Sequence, residues 1–498
     1  MADNTAQFDQ PQVPEEIDAR PVSGRFTRPF QSEFSRVVNV FSAVILLAAI
    51  GTILWSSATF PKLDRIAEPD RALELMVSRM MEAQDGLHRA PVWQQRLAEW
   101  TLGSSEKERG QAIEWYRELA QATGDPFSKL RLAILQGEFG QKQEALDEAK
   151  TWQNLAAPMP LFGQWIEAAY GASTVSAERS GELQAALAET LPAGWFYNSL
   201  AARLAQQTGD QVLLASVARQ REMRGKWLQN RSDQLMIFEF ACLLIGSAVL
   251  LSLMWLRNRQ TQALRVHMPG VPPPWSGGIG TTVLLRGGAL GALITMVFLS
   301  FPPIEHASLR ALAIPLANLP LLALAYVHLL KPTELDFRSG FGLHIDRTTL
   351  SQLIGAALAV IAAGLWGEWV MGRAAEWLDL ANHWTEWFDP NLVWATGSAL
   401  TVSLLEYVIF APIFEELAFR GLLFAVLRRR FSFVPAALLS ASIFALAHGY
   451  GLIGFVSVLW SGFLWAWIYE KTGSLIPGMV AHAVNNLLVS LTVMALLR

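Results

Sequence analysis

The stretch Ala411-Pro412-Ile413-Phe414-Glu415-Glu416-Leu417-Ala418-Phe419-Arg420 sets two carboxylates and a guanidinium inside an apolar run from Val393 to Leu427. A run of that length crosses a hydrocarbon core of about 30 Å as a helix, since in lipid every backbone group must be satisfied internally. Ionisable groups at such depth are costly, and they mark function. Comparable runs lie outward on both sides of it: Val37–Phe60, Leu235–Leu256, Val283–Phe301, Ala311–Leu330, Leu350–Met371, Pro435–Tyr450, Leu452–Tyr469 and Pro477–Leu497. The expected fold is an all-α polytopic membrane bundle of about nine spans.

Composition agrees: 52% of residues are hydrophobic and only 16% charged, with a mean hydropathy of +0.28. A net charge of −4 gives no reason to expect nucleic acid, and a lone cysteine, Cys242, cannot form an intrachain disulfide. The charge is uneven, however. Residues 61–234 are rich in Glu, Arg, Lys and Gln, so two solvents are addressed. The chain is expected to divide into a disordered tail (1–36), a first anchor (37–60), a helical domain (61–234), a second span (235–256), a Pro/Gly-rich flexible linker (257–282) and a bundle (283–498).

The first run is too long and too late for a cleavable signal segment and reads as an anchor. Arg and Lys gather in every second short loop, at Arg257, Arg259 and Arg265, at Lys331, Arg338 and Arg347, at Arg428 to Arg430 and at Lys471. With Arg20, Arg25, Arg28 and Arg36 before the first span, this alternation places the N-terminus in the cytoplasm of a bacterial-type plasma or inner membrane and residues 61–234 outside it. Within that domain, apolar residues recur at three and four. Helices are expected at Asp70–Ala83, Glu106–Ala122, Pro126–Phe139, Gln143–Leu155, Ala177–Thr190, Trp195–Gln207 and Gln211–Asn230, stacked in a tetratricopeptide-like manner. Its chemistry is blank, so it is expected to bind a protein partner or substrate. Trp366, Trp369, Trp377, Trp384, Trp387 and Trp394 read as an interfacial aromatic belt. Glu239, Arg286, His328 and Glu368 are expected to reach the interface from span ends, and Glu406 to face away from Glu415.

Glu416 and Arg420 are four apart and share a helix face as an ion pair, while Glu415 is turned about 100° away and is left free. Pro412 removes a backbone donor and should kink the helix beside the site. Phe444 and His448 share a face of the next apolar segment, as do His482 and Asn486 of the last. Counted from the basic ends of these helices, Glu415 and His448 lie about 20 Å deep, and His482 and Asn486 about 8 and 14 Å. The groups could meet near mid-membrane. Taken singly, each has a bland reading: a structural ion pair for Glu416 and Arg420, and interhelical hydrogen bonding for His448, His482 and Asn486.

The order Glu-Glu-x-x-x-Arg, Phe-x-x-x-His, His-x-x-x-Asn, with Tyr469-Glu470-Lys471-Thr472-Gly473-Ser474-Leu475 before the third motif, resembles the CPBP intramembrane proteases, also called the CAAX prenyl protease type II or Abi family. The resemblance covers residues 400–497 and not the helical domain. It implies an all-helical endopeptidase in which Glu415 activates water, His448 and Asn486 position it or stabilise the oxyanion, Glu416 and Arg420 brace the site, and His482 assists. Family usage is divided between metalloprotease and metal-free mechanisms. Glu415, His448 and His482 would make a nitrogen and oxygen set for a divalent metal such as zinc, although no His-Glu-x-x-His helix is present. A non-catalytic scaffold or immunity-type protein of the same fold stays open. A transporter is less favoured, because no inverted pair of broken helices is seen.

Overall fold

A computed structural model describes residues 34–172, 176–267, 271–300 and 312–498. The N-terminal tail to residue 33, with Arg20, Arg25 and Arg28, lies outside them, as do Pro269 and Gly270 of the linker. Among the described residues every regular element is helical. Eight helices are long and apolar enough to cross a membrane. They are α1 (Arg36–Thr59), α10 (Gln211–Trp255), α11 (Gly277–Ser300), α12 (Ala313–Thr333), α13 (Leu350–Trp377), α14 (Gly397–Arg428), α16 (Leu452–Thr472) and α17 (Ile476–Leu497). The ninth expected crossing, α15 (Phe433–His448), has 16 residues, about 24 Å, and stops at His448. It is a shorter apolar helix, and its end sets an imidazole inside the bundle's depth. The chain is thus a multi-pass membrane protein.

Between α1 and α10 lie α2 (Pro69–Arg89), α3 (Val92–Leu102), α4 (Ser105–Thr123), α5 (Pro126–Glu138), α6 (Lys142–Trp152), α7 (Met159–Tyr170), α8 (Ala177–Thr190) and α9 (Trp195–Thr208). Punctuation is legible: Asp125 caps α5 by accepting from Ser128 N, and Gly124 and Gly209 end α4 and α9 in the left-handed conformation. Two helices were not expected, α3 and α7. The seventh expected helix is not separate from the second span. Gln211 to Trp255 is one helix of 45 residues, about 67 Å, crossing the expected boundary at 234/235 without a break. It fixes the domain to the membrane as a strut. Successive helices pack on one another around Leu73, Tyr116, Leu119, Leu135, Trp152, Phe162, Trp165 and Leu204, and nothing identifies the stack as tetratricopeptide-like.

The domain rests on the bundle. Its apolar core continues into Trp384, Phe388, Leu392 and Val393 of the loop before α14, and into Val493 and Leu497 at the end of α17. Around this core a polar seam closes: Lys107 pairs with Asp379 at 3.1 Å, His383 meets Glu118 at 2.9 Å, and Arg373 donates to the Glu99 carbonyl at 3.3 Å. The supposed aromatic belt is therefore divided. Trp384 is fully buried, Trp369 lies 4.9 Å from Trp100 of α3, and Trp394 lies under Arg71. Trp377 and Trp387 remain exposed. Domain docking, not lipid, fixes three of the six.

The linker is also a correction. Val266 and His267 donate backbone N–H to Thr472 O, Arg429 donates to the Pro273 carbonyl, and Trp275 is buried. Its described residues form a strap packed across the basic end of the bundle, because Pro fixes the backbone and leaves carbonyls for basic side chains.

Candidate active site

Helix α14 is not a regular α-helix. Glu406–Phe410 and Glu416–Phe424 are wound with i→i+5 hydrogen bonds, on either side of Ala411–Glu415. In that register Ala411 N bonds Glu406 O, and the next donor would be Pro412, which has none. The orphaned acceptor is the Tyr407 carbonyl. Asn486 fills it from α17, its Nδ2 donating to Tyr407 O at 2.9 Å. Thus the expected proline distortion is present, as bulges on both sides of Pro412, and it ties the Glu-Glu helix to the His-Asn helix. Glu406, expected to face away from Glu415, is buried.

One turn further, Glu416 and Arg420 are both wholly excluded from the surface and bonded at 2.9 Å. Glu416 Oε1 also faces His482 Nδ1 at 3.2 Å. Arg420 lies between two rings, its guanidinium carbon 4.2 Å from the Phe444 centroid and 4.9 Å from that of Trp465. These π faces compensate a cation that has lost its water. Trp465 in turn stacks on His482, with centroids 4.0 Å apart and planes at 18°. His482 is therefore held on its face by an indole and at Nδ1 by a carboxylate, which leaves Nε2 for other chemistry.

That nitrogen is 3.8 Å from Glu415 Oε2, longer than a hydrogen bond. Glu415 keeps 29% of its side-chain surface exposed, against none for Glu416. Its Oε2 is itself buried and has no hydrogen-bond partner. One carboxylate is locked and its neighbour is open, as the sequence spacing predicts.

His448 ends α15 with Nδ1 2.8 Å from the Phe444 carbonyl, so that nitrogen is the donor and Nε2 is left over. The Phe444 ring stands between the two imidazoles, 4.6 Å from His448 and 6.0 Å from His482. Tyr450 stacks beside His448 at 5.7 Å, and the turn after it is pinned by Glu386, which accepts from Gly451 N. The structure thus gathers Glu415, Glu416, Arg420, His482 and Phe444 directly and places His448 at the rim. Asn486 joins through the Tyr407 backbone. Trp465, Tyr407 and Glu386 were missed, for an aromatic or acid in such surroundings carries no signal by spacing.

Among the described residues no three His, Cys, Asp or Glu side chains converge as a metal-ligand group. Glu415 and His482 are neighbours, while His448 lies at the rim with Nδ1 on its helix carbonyl and Nε2 unbonded, so the trio suggested for zinc is not gathered into one group. Of the remaining ionisable groups, Glu368 accepts from the Ser457 hydroxyl. Arg286 bonds Asn39 Oδ1 and Ser35 O at the start of α1.

Residues 397–488 match a family model described as Rce1-like, type II CAAX prenyl endopeptidase. No curated protein and no solved structure matches the chain. The matched segment contains α14, α15, α16 and the half of α17 that carries His482 and Asn486, which supports a protease at the coarse level.

Proposed function

We propose that the chain is an intramembrane endopeptidase that hydrolyses a peptide bond of a membrane-associated protein or its tail with a water activated by Glu415. One observation carries the reading: a part-exposed glutamate, Glu415, whose buried Oε2 has no hydrogen-bond partner and lies beside an imidazole nitrogen, backed by a buried Glu416–Arg420–His482 group. Glu415 takes the proton as water oxygen attacks the carbonyl carbon. The proton then passes to the leaving amide nitrogen as the C–N bond breaks. His482 Nε2, and His448 Nε2 from the rim, are the polar groups placed to hold the water or the developing oxyanion where surrounding hydrocarbon strengthens such contacts. Glu416, Arg420 and Trp465 keep His482 in position.

A metal, if one binds, would draw on Glu415 and His482. Arg and Lys in alternate loops support a cytoplasmic N-terminus, with the helical domain on the opposite side of the membrane. The test compares the membrane proteome of cells producing wild-type protein with that of cells producing Glu415→Gln at equal level. A shortened membrane protein should form only with the wild type. Equal formation with Glu415→Gln would overturn the mechanism.

A further inference from the structure

Helix α3 wears its side chains inside out. Trp93, Leu97 and Trp100, at i, i+4 and i+7, form one stripe, and they are 64%, 37% and 53% exposed. Gln94 and Gln95, off this stripe, turn to the protein instead. Gln94 accepts from Gln229 Nε2 of α10 at 3.2 Å, and Gln95 donates to the His88 and Ala90 carbonyls at 3.2 and 2.8 Å. A helix covering a core in water has the reverse pattern, because burial of apolar surface drives its packing.

Two spanning helices fix the height of α3. Gln229 precedes the apolar run of α10, which starts at Leu235, by six residues, about 9 Å of helix. At the other end of α3, Trp369 donates its indole N–H to the Trp100 carbonyl at 3.3 Å, and the two rings lie 4.9 Å apart. Trp369 belongs to the last turn of the apolar run that ends at Met371. Arg373 and Glu376, further along α13, bond Glu99 O and Ser104 N. A bilayer of about 40–45 Å around a hydrocarbon core of about 30 Å leaves headgroup layers of about 5–8 Å. Helix α3 therefore descends from the outer edge of one headgroup layer to the hydrocarbon boundary, where indole rings are favoured. Through Trp100 its stripe is continuous with the end of α13, where Trp366 and Trp377 are also exposed. Arg96, exposed at the margin of the stripe, is long enough to reach back to phosphate.

We propose that α3 is an interfacial helix, with Trp93, Leu97 and Trp100 seated in the headgroup–acyl boundary of the leaflet on the helical domain's side. It gives the domain a hold on the lipid surface in addition to the α10 strut and the polar seam. A protein partner is disfavoured as the occupant, because it would have to reach the stripe from within the headgroup layer. The inference is independent of the role of Glu415 and of which leaflet faces the cytoplasm.

The test places one nitroxide at a time on the full chain, in a Cys242→Ala background that removes the native thiol. The labelled variants are Trp93→Cys, Leu97→Cys, Leu47→Cys in the middle of α1, and Val212→Cys, which lies 23 residues, about 34 Å of helix, before Leu235. All these side chains are exposed, so each variant should keep the melting temperature of the Cys242→Ala parent. With one chain per disc in phosphatidylcholine nanodiscs, power saturation compares collisions of the label with oxygen, which concentrates among acyl chains, and with a water-soluble nickel chelate. The ratio of oxygen to nickel accessibility at residues 93 and 97 should be several-fold higher than at residue 212 and should approach that at residue 47. A ratio equal to that at residue 212 would leave the stripe in water, and shielding from both reagents would put protein on it. Either result would overturn the proposal.

Discussion

The helical domain and the bundle both bury ion pairs, and they do so differently. In the domain, Arg131 and Glu74 bond at 2.6 Å with 7% and 25% of their side chains exposed, and Arg203 reaches Glu138 with 33% and 15%. Each pair keeps one edge in water and joins neighbouring helices. In the bundle, Glu416 and Arg420 keep none, sit on one helix, and draw in an imidazole from another. Buried atoms without partners occur in both regions, Arg131 Nε in the first and Arg420 Nε in the second. An orphaned atom therefore does not identify a site. Convergence from separate helices on one open carboxylate does.

The contrast breaks most visibly if one partner of each pair is removed. Arg420→Met leaves Glu416 charged in a dry, apolar surrounding and should cost about 3–5 kcal/mol, enough to abolish monodisperse protein after detergent extraction. Arg131→Met leaves Glu74 able to turn to solvent and should cost roughly 1–2 kcal/mol, seen as a modest fall in melting temperature. Equal losses would mean that the two burials are energetically alike. The double variant Glu416→Leu with Arg420→Met should fold better than Arg420→Met alone, since it removes the uncompensated charge as well as the pair.

The same contrast explains what could be read in advance. The apolar runs are legible because lipid demands length and hydropathy, and seven of the nine expected helix starts fall within a few residues of the observed ones or better, as with Val37 against Arg36 and Pro477 against Ile476. The Glu416–Arg420 pair is legible because i,i+4 spacing survives winding. Distances between helices are not in the spacing. Nothing in the sequence says that Trp465 stacks on His482, or that Asn486 repairs a carbonyl that Pro412 leaves open. Nor could the continuity of α10 be read, for its polar half and apolar half answer to different solvents and show no break in φ, ψ that either composition would reveal. The tryptophans near residue 384 were misread for the same reason. Trp is equally suited to an interface with lipid and to one with a protein domain.

The strut offers a further test of this difference. At the α2–α10 crossing, Gly86 and Gly225 bring backbones so close that a Cβ on Gly225 would lie 2.9 Å from Gly86 Cα. Gly225→Val should force the helices apart at a cost of about 1–3 kcal/mol. Limited proteolysis should then open the helical domain while the α14–α17 core stays protected. Loss of protection in both would show that they unfold as one unit.

The smallest effect concerns a charge the domain holds at a disadvantage. Asp85 has its pKa raised, chiefly because burial disfavours the carboxylate, and Arg221 at 3.9 Å opposes this only partly. A folded-state pKa above the unfolded one means that the native domain binds the proton more tightly. Its contribution to stability is then fully present below the unfolded pKa and is lost as pH rises through the folded value. Asp85→Asn removes that loss. Its melting temperature should exceed the wild type's by roughly 1–2 °C at pH 8, and the gap should shrink towards pH 4. A constant gap across that range would assign the effect to something other than the carboxylate's charge.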